Sequence, residues 1–324
     1  MSKIERTLDK KKSLSTKIVF TILFVVLCLY SLFIISMLLW GVITSLKSNG
    51  DFEDLRNVLG FPNLDKNEFF NSREAFFKLN NYKIIIDNFI IERRSVYYAG
   101  GADPIVHTCK AGFGEMLLNT VLYTVGGALI YAVMPAITGY LCAKYEYKLS
   151  GILVVVYTLM MCMPIVGSTP FELTFLRNVG LYDSILGNYV QKMGGGGMYF
   201  FVYLAFFKGA PDTYREAASI DGASEFRIMA QVYFPLAIKI ISTVFLIQFV
   251  ALWNDYQTPL LYLPTHPTLA YGVYYVSYEA PVHIFYHTPI RISGLMLLAL
   301  PIIVIFVIFK DKLMGDISLG GIKE

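Results

Sequence analysis

Long uncharged runs dominate the pattern of this chain. Ile18–Leu46, Met116–Ala143 and Leu149–Phe171 contain no Asp, Glu, Lys or Arg, and each exceeds the ~20 residues a helix needs to cross ~30 Å of hydrocarbon. Ile292–Phe309 is just long enough, while Met193–Phe207 and Ile240–Asn254 are shorter. Lys208 and Lys239 flank these two and extend them toward the interface by snorkelling. The pattern predicts an all-α polytopic membrane protein with six transmembrane helices. The first run is too long for a signal-peptide core and lacks a small-x-small cleavage site, so a retained signal anchor is expected. The resulting division is a basic N-terminus over 1–17, a first transmembrane helix over 18–46, an enlarged outer loop over 47–114, a five-helix core over 115–310 and a tail over 311–324.

Composition agrees: 56% of the 324 residues are hydrophobic and only 16% are charged, well to the membrane side of the soluble balance. A net charge of +3 gives a nucleic-acid partner no electrostatic support beyond the short basic N-terminus. Lysine and arginine set the orientation. With six spans, one side receives Lys3, Arg6, Lys10, Lys11, Lys12 and Lys17, then Lys144, Lys148, Lys208, Arg215, Arg227, Lys239, Lys310, Lys312 and Lys323. The positive-inside rule makes that side cytoplasmic, with both termini on it. The two shorter outer loops hold only Arg177, Lys192 and, at the edge, Arg291. The basic residues between Lys47 and Glu115 do not oppose this, because loops of more than ~60 residues are largely exempt.

Catalytic equipment is not evident. Cys28, Cys142 and Cys162 fall within expected spans and Cys109 stands alone outside them, so no disulfide framework follows. His283 and His287 are four apart, yet neither His107 nor His266 makes an evident third ligand, and no metal is expected. The chain has no G-x-x-x-x-G-K-[ST], H-E-x-x-H or G-x-S-x-G, so ATP must be handled by a partner. Gly194–Gly197 lacks the lysine of a phosphate loop and reads as the lead-in to the fourth span.

The polar segment 209–239 is more specific. Pro211 ends what precedes it, and Thr213 with Glu216 forms T-x-x-E, a capping box for a short helix beginning at Thr213. Ala217 and Ala218 keep its surface low, Ile220 offers an apolar contact, and Gly222 supplies a left-handed stop before a second helix opens near Ser224. Two readings stand on these residues alone: a docking elbow, or an ordinary amphipathic connector that Glu216 merely caps.

Glu216-Ala217-Ala218, three residues, Gly222, nine residues, then Val232-Tyr233-Phe234-Pro235 resembles the EAA loop of importer-type ABC permeases, E-A-A-x3-G-x9-I-x-L-P. Val232 replaces isoleucine and Phe234 replaces leucine, while Asp221 completes the E-A-A-x-x-D-G form common among sugar permeases. Asn81-Tyr82, Asn119-Thr120, Trp253-Asn254-Asp255 and Gly320-Gly321-Ile322-Lys323 extend the likeness to the maltose-type (MalG-like) branch of binding-protein-dependent sugar permeases. The chain departs from it by extra residues before Asn119, including Arg93-Arg94 and Gly100-Gly101. The apolar Ile84-Ile85-Ile86 and Phe89-Ile90-Ile91 imply that this enlarged loop is ordered.

The resemblance implies a non-catalytic subunit of a bacterial cytoplasmic-membrane importer. Its partners would be a second, MalF-like permease, two ATPases carrying ATP and Mg, an extracytoplasmic solute-binding protein and the lipid bilayer. This chain would bind no cofactor. Thr213, Glu216, Ala217, Ala218, Asp221, Gly222 and Pro235 would couple it to an ATPase. For the solute, Asn119, Tyr123, Gln248, Trp253 and Asn254, with Tyr140 and Asp255 beside them, supply the hydrogen bonds and aromatic faces that sugars need. Their other reading is interfacial belt and interhelical bonding. An importer of peptide, amino acid or polyol is the alternative within the class. An ion-coupled carrier would want ionisable groups at mid-membrane, and the centres of the four clear spans have none. A polytopic enzyme would need a carboxylate beside the histidines.

Overall fold

The computed structural model describes residues 14–54, 57–62, 79–97, 105–145, 147–162, 167–194, 197–279 and 283–314. The chain divides into two compact units, 1–83 with 282–296, and 84–281 with 297–324. In the first, helix α1 (Leu14–Ser45) is apolar on every face, and none of its most hydrophobic stretch is buried. Its Ser31 and Ser36 hydroxyls turn back onto the Leu27 and Phe33 carbonyls at 2.8 and 2.7 Å, so these two polar groups are satisfied within the helix, as lipid requires. The helix ends in side-chain caps. Asn81 Nδ2 donates to the Ser45 and Lys47 carbonyls at 2.9 and 2.8 Å, and Ser293 Oγ donates to the Ser45 carbonyl at 3.1 Å. Orphan carbonyls of a helix C-terminus thus acquire partners, which gives the Asn81-Tyr82 pair a local structural reason. A short helix, α2 (Asn49–Glu53), follows under a Ser48 cap.

Helix α3 (Asn80–Asn88) leads toward a hairpin of β1 (Ile91–Tyr97) and β2 (Ile105–Ala111), antiparallel from Ile91↔Ala111 to Tyr97↔Ile105. The all-α expectation is corrected here. β-Branched Ile91, Val96, Val106 and Thr108 suit a pleated pair, and Phe89, Ile91 and Ala111 are buried. Part of the segment 47–114 is therefore folded.

The long helix α4 (Phe113–Lys144) crosses the second unit and contains a π-helical stretch, Leu122–Gly126. It is followed by α5 (Lys148–Cys162), α6 (Ser168–Asn178), α7 (Ile185–Met193), α8 (Gly197–Gly209), α9 (Thr213–Ile220) and α10 (Glu225–Trp253). Helices α11 (Gln257–Tyr262) and α12 (Leu269–Tyr278) precede α13 (Thr288–Met314), which supplies residues to both units and contains Pro301. The described residues include four helices long and apolar enough to cross a membrane, within α1, α4, α10 and α13, and two shorter apolar ones, α5 and α8.

The expected continuous span Leu149–Phe171 is corrected. The described helix stops at Cys162, and α6 starts at Ser168 after Gly167, whose φ of 86° leaves the helical region. Residues 163–166, with Pro164, lie outside the described residues, as do 195–196 of the glycine run. In the opposite direction, α10 continues back through Lys239 to Glu225, because a solvated charge does not end a helix.

Small residues let α4 and α8 approach closely. Ala128, Ala132 and Ala136 are fully buried along one face of α4, the arrangement by which membrane helices pack backbone to backbone. At Gly139 an added Cβ would stand 2.9 Å from Tyr203 Cβ, 3.1 Å from the Leu204 nitrogen and 3.3 Å from the Phe200 carbonyl. Two of these neighbours are backbone atoms and cannot turn away. Gly139→Ala should therefore destabilise by about 1–3 kcal/mol, seen as a lowered melting temperature in detergent. An unchanged melting point would show that the two helices separate freely.

Candidate coupling site

Helix α9 begins at Thr213, but the T-x-x-E capping box does not form. The N-cap is Asp212, in helical conformation and without a side-chain cap bond, and its carbonyl accepts from the Arg215 and Glu216 amides at 2.9 and 3.0 Å. Thr213 is already inside the helix, so its hydroxyl is one residue too late to cap. Glu216 occupies the first turn, where a carboxylate interacts favourably with the helix dipole. The stop forms at Gly222. With φ at 76°, its amide donates to the Ser219 carbonyl at 3.0 Å and the Ala223 amide donates to the Ala218 carbonyl at 3.0 Å, the paired bonds of a Schellman motif. Ser224 caps the next helix by accepting from the Arg227 amide at 3.4 Å.

No residue of α9 is buried. Glu216, Ala217, Asp221, Gly222 and Pro235 are exposed, and Ala218 alone among the expected coupling residues leans on the core. Ile220 is 86% exposed and Phe226 73%, two large apolar side chains that the described residues leave largely uncovered. Such a short helix would fray by itself.

What holds it came from residues that local patterns did not mark. Lys144, at the end of α4 with its side chain only 3% exposed, donates to the Ala210 carbonyl at 2.6 Å and to Asp212 Oδ1 at 2.7 Å. Its ammonium also lies 5.0 Å from the Tyr233 ring centroid, and the Tyr233 hydroxyl donates to the Pro211 carbonyl at 3.2 Å. On the other side of the elbow, Arg215 bridges to Glu225 at 2.9 Å, donates to the Lys144 carbonyl at 3.2 Å and stacks 4.7 Å from Tyr145. Tyr145 donates in turn to Glu225. The Lys144 ammonium holds the Asp212 carboxyl below the usual carboxylate range, and Glu225 raises Arg215 further. A single basic residue at a helix end, read from sequence only as an orientation signal, is the anchor of the elbow.

The solute candidates do not gather at one place. Asn119 is buried and donates to the Pro267 carbonyl at 3.2 Å, Trp253 Nε1 donates to the Leu298 carbonyl at 2.9 Å, and Asn254 donates to the Val250 carbonyl at 2.9 Å. These are packing and helix bonds. Gln248 reaches the Tyr199 hydroxyl at 3.1 Å, and Tyr140 is buried in the core against Phe207 and Tyr233. Tyr123, carried by the π-helical stretch, donates to Asp255 Oδ2 at 2.6 Å; of the set, it and Asp255 alone form a linked polar pair.

Comparison with known proteins places the chain in a family. Residues 136–310 match the family described as binding-protein-dependent transport system inner membrane component, and they span the elbow and its anchors. A permease protein of Thermoanaerobacterium thermosulfurigenes, AmyC, named for transport of starch degradation products, is 28% identical over 65% of this chain and 76% of its own length. MelC of Bacillus subtilis, a melibiose/raffinose/stachyose import permease protein, is 24% identical over 66% of this chain and 78% of its own. A bacterial ABC transporter involved in import of the acidic polysaccharide alginate, known from its crystal structure, has a chain 19% identical that superposes with a TM-score of 0.69 over 93% of this chain and 98% of that one. With more than half of its length matched, this chain belongs to the family of binding-protein-dependent transport system inner membrane components.

Proposed function

We propose that this chain is the permease subunit of an ATP-driven importer that takes a sugar or oligosaccharide from an extracytoplasmic binding protein into the cytoplasm. The observation that carries the reading is the exposed α9 elbow, which bears the E-A-A-x-x-D-G sequence within the region matched to the family. Sugar import follows the two relatives described above, named for starch degradation products and for melibiose/raffinose/stachyose. All six apolar helices cross the bilayer in this reading, with both termini and α9 in the cytoplasm, where the basic residues collect.

The mechanism separates chemistry from transport. Two partner ATPases, holding ATP and Mg, close on nucleotide; a second permease completes the pathway. Helix α9 sits in a groove of one ATPase, with Ile220 and Phe226 supplying apolar contact and Glu216 a polar one. Its rigid displacement then tilts the helices on which Lys144 and Glu225 anchor it, a two-state rigid-body transition of the bundle biased by the nucleotide state of the partners. The chain contributes position and leverage, and no catalytic group.

Reconstitution tests both halves. In vesicles holding the full complex, a neutral oligosaccharide should accumulate only with ATP, its binding protein and both ATPases present. The purified chain by itself should neither bind nor hydrolyse ATP. Nucleotide turnover by the isolated chain, or accumulation without ATP, would overturn the reading.

A further inference from the structure

Within the larger unit lies a cavity of about 490 Å³ that neither the elbow nor the packing residues explain. Glu172, Gln191, Lys192, Asp255, Tyr131 and Phe171 line it. Its two carboxylates are held in place by hydrogen bonds. Glu172 Oε2 accepts from Gln191 Nε2 at 2.8 Å and from the Tyr262 hydroxyl at 3.1 Å. Asp255 accepts from the Tyr123 hydroxyl at 2.6 Å and from the Thr258 amide at 3.1 Å. Each carboxylate keeps unused acceptor capacity, since two oxygens offer about four lone-pair sites.

Lys192 is the unusual member. It lies in the last turn of α7 at 3% exposure, donates to Asn188 one turn earlier, and stands 4.3 Å from the Tyr123 ring centroid. Burial lowers its pKa to about 8, and Asp255 pulls in the opposite direction. Among the described residues no carboxylate lies within ion-pairing distance of it. A buried ammonium without a direct counter-ion is costly, and groups perturbed in this way cluster at functional sites.

We propose that this cavity is a binding site for an uncharged, hydroxyl-rich solute, with Glu172 and Asp255 accepting its hydroxyls, Lys192 and Gln191 donating to its oxygens, and Tyr131 and Phe171 offering faces to its ring carbons. The proposal rests on the importer reading above and adds a holding site within this subunit. Its volume falls in the ~300–1,000 Å³ range of small-molecule sites. Two carboxylates against one ammonium disfavour an anionic solute, and the density of fixed donors and acceptors disfavours an apolar one, which would leave them unpaired.

The test uses the complex assembled with its partner subunits in lipid nanodiscs, without the solute-binding protein. Saturation-transfer NMR should show contact with trehalose, maltotriose or raffinose and none with trigalacturonate. A Glu172→Gln/Asp255→Asn double variant should weaken the neutral-sugar signal by about tenfold or more, as expected for two lost charge-assisted bonds. Co-elution with the ATPases confirms that the variant assembles. Gly194→Leu provides a second route: Gly194 lines the cavity, and a Cβ there meets only the Gln191 carbonyl, at 4.0 Å. It should obstruct the site without removing any polar group. Equal signals from wild type and both variants, or preference for the uronate, would overturn the proposal. Vesicle uptake separates this from the parent reading. If the wild-type complex with binding protein and ATP imports a neutral sugar while the cavity gives no signal, the site is wrong and the importer stands; if it imports no neutral sugar, both fall.

Discussion

Gly222→Pro should lower solute uptake by about 100-fold, near the upper end of typical coupling free energies, while the chain still inserts and assembles. Space is not the reason, since an added Cβ at Gly222 meets nothing within 4 Å. Conformation is. Gly222 holds φ at 76° and donates its amide to the Ser219 carbonyl; proline is locked near −65° and has no N–H to give. The bond from Ala223 to the Ala218 carbonyl depends on the same turn, so the helix stop and the direction of the chain into α10 are lost together. Gly222→Ala should cost only ~1–2 kcal/mol, and Gly222→Asn less, because asparagine visits the left-handed region more readily. Glu216→Lys is the companion test. Glu216 is exposed in the first turn, where charge reversal disturbs the dipole by only ~0.3–1 kcal/mol, too little to melt the elbow. Loss of uptake by that variant would therefore report a broken contact with the ATPase. Uptake is measured against membrane abundance and co-purified ATPase; normal transport by either Gly222→Pro or Glu216→Lys removes the coupling role.

The parts of this molecule that could be read in advance are those encoded within a few residues. Pro211, Thr213 and Gly222 mark the ends of α9, and α9 runs Thr213–Ile220 with its left-handed stop at Gly222. The cap could not be read, because it depends on where Asp212 points, and that carboxylate is taken by Lys144, 68 residues away. Hydropathy located the long helices well but merged α5 with α6: absence of charge marks what lipid tolerates and says nothing of whether Gly167 keeps a helical φ. The π-helical stretch that carries Tyr123 has no periodic signature either. Polarity near a span marks the solute candidates, yet Asn119, Trp253 and Asn254 spend their donors on carbonyls. Glu172, Gln191 and Lys192 carry no local signal of a site, because they are far from Asp255 in sequence and only folding brings them to it. The β-hairpin was visible only as surplus length, since Arg93-Arg94 interrupts its apolar alternation.

Lys144→Met should uncouple the elbow without unfolding the bundle. Methionine nearly fills the volume of the lysine stem, so the packing of α4 is retained, while the Ala210 carbonyl loses a part-buried donor at 2.6 Å. That loss is worth ~1–3 kcal/mol, or about a tenfold to hundredfold increase in local opening of residues 210–224, which hydrogen exchange measures directly. Asp212→Asn makes the informative contrast. The Asp212 side chain is 69% exposed, and exposed ion pairs are screened and weak, so this variant should exchange and transport nearly as wild type. The pH dependence has a definite sign: with its carboxyl held below the usual range by Lys144, Asp212 contributes fully above its unfolded value of ~3.9, and the contribution is lost as pH falls through the lowered value. Neutral-pH transport is thus insensitive to that titration. If the elbow works as a lever anchored at Lys144, uptake by Lys144→Met falls about tenfold while ATP turnover by the assembled complex continues. If uptake and turnover fall together, Lys144 serves assembly; if Asp212→Asn matches Lys144→Met, the exposed ion pair, and not the bond to the Ala210 carbonyl, holds the lever.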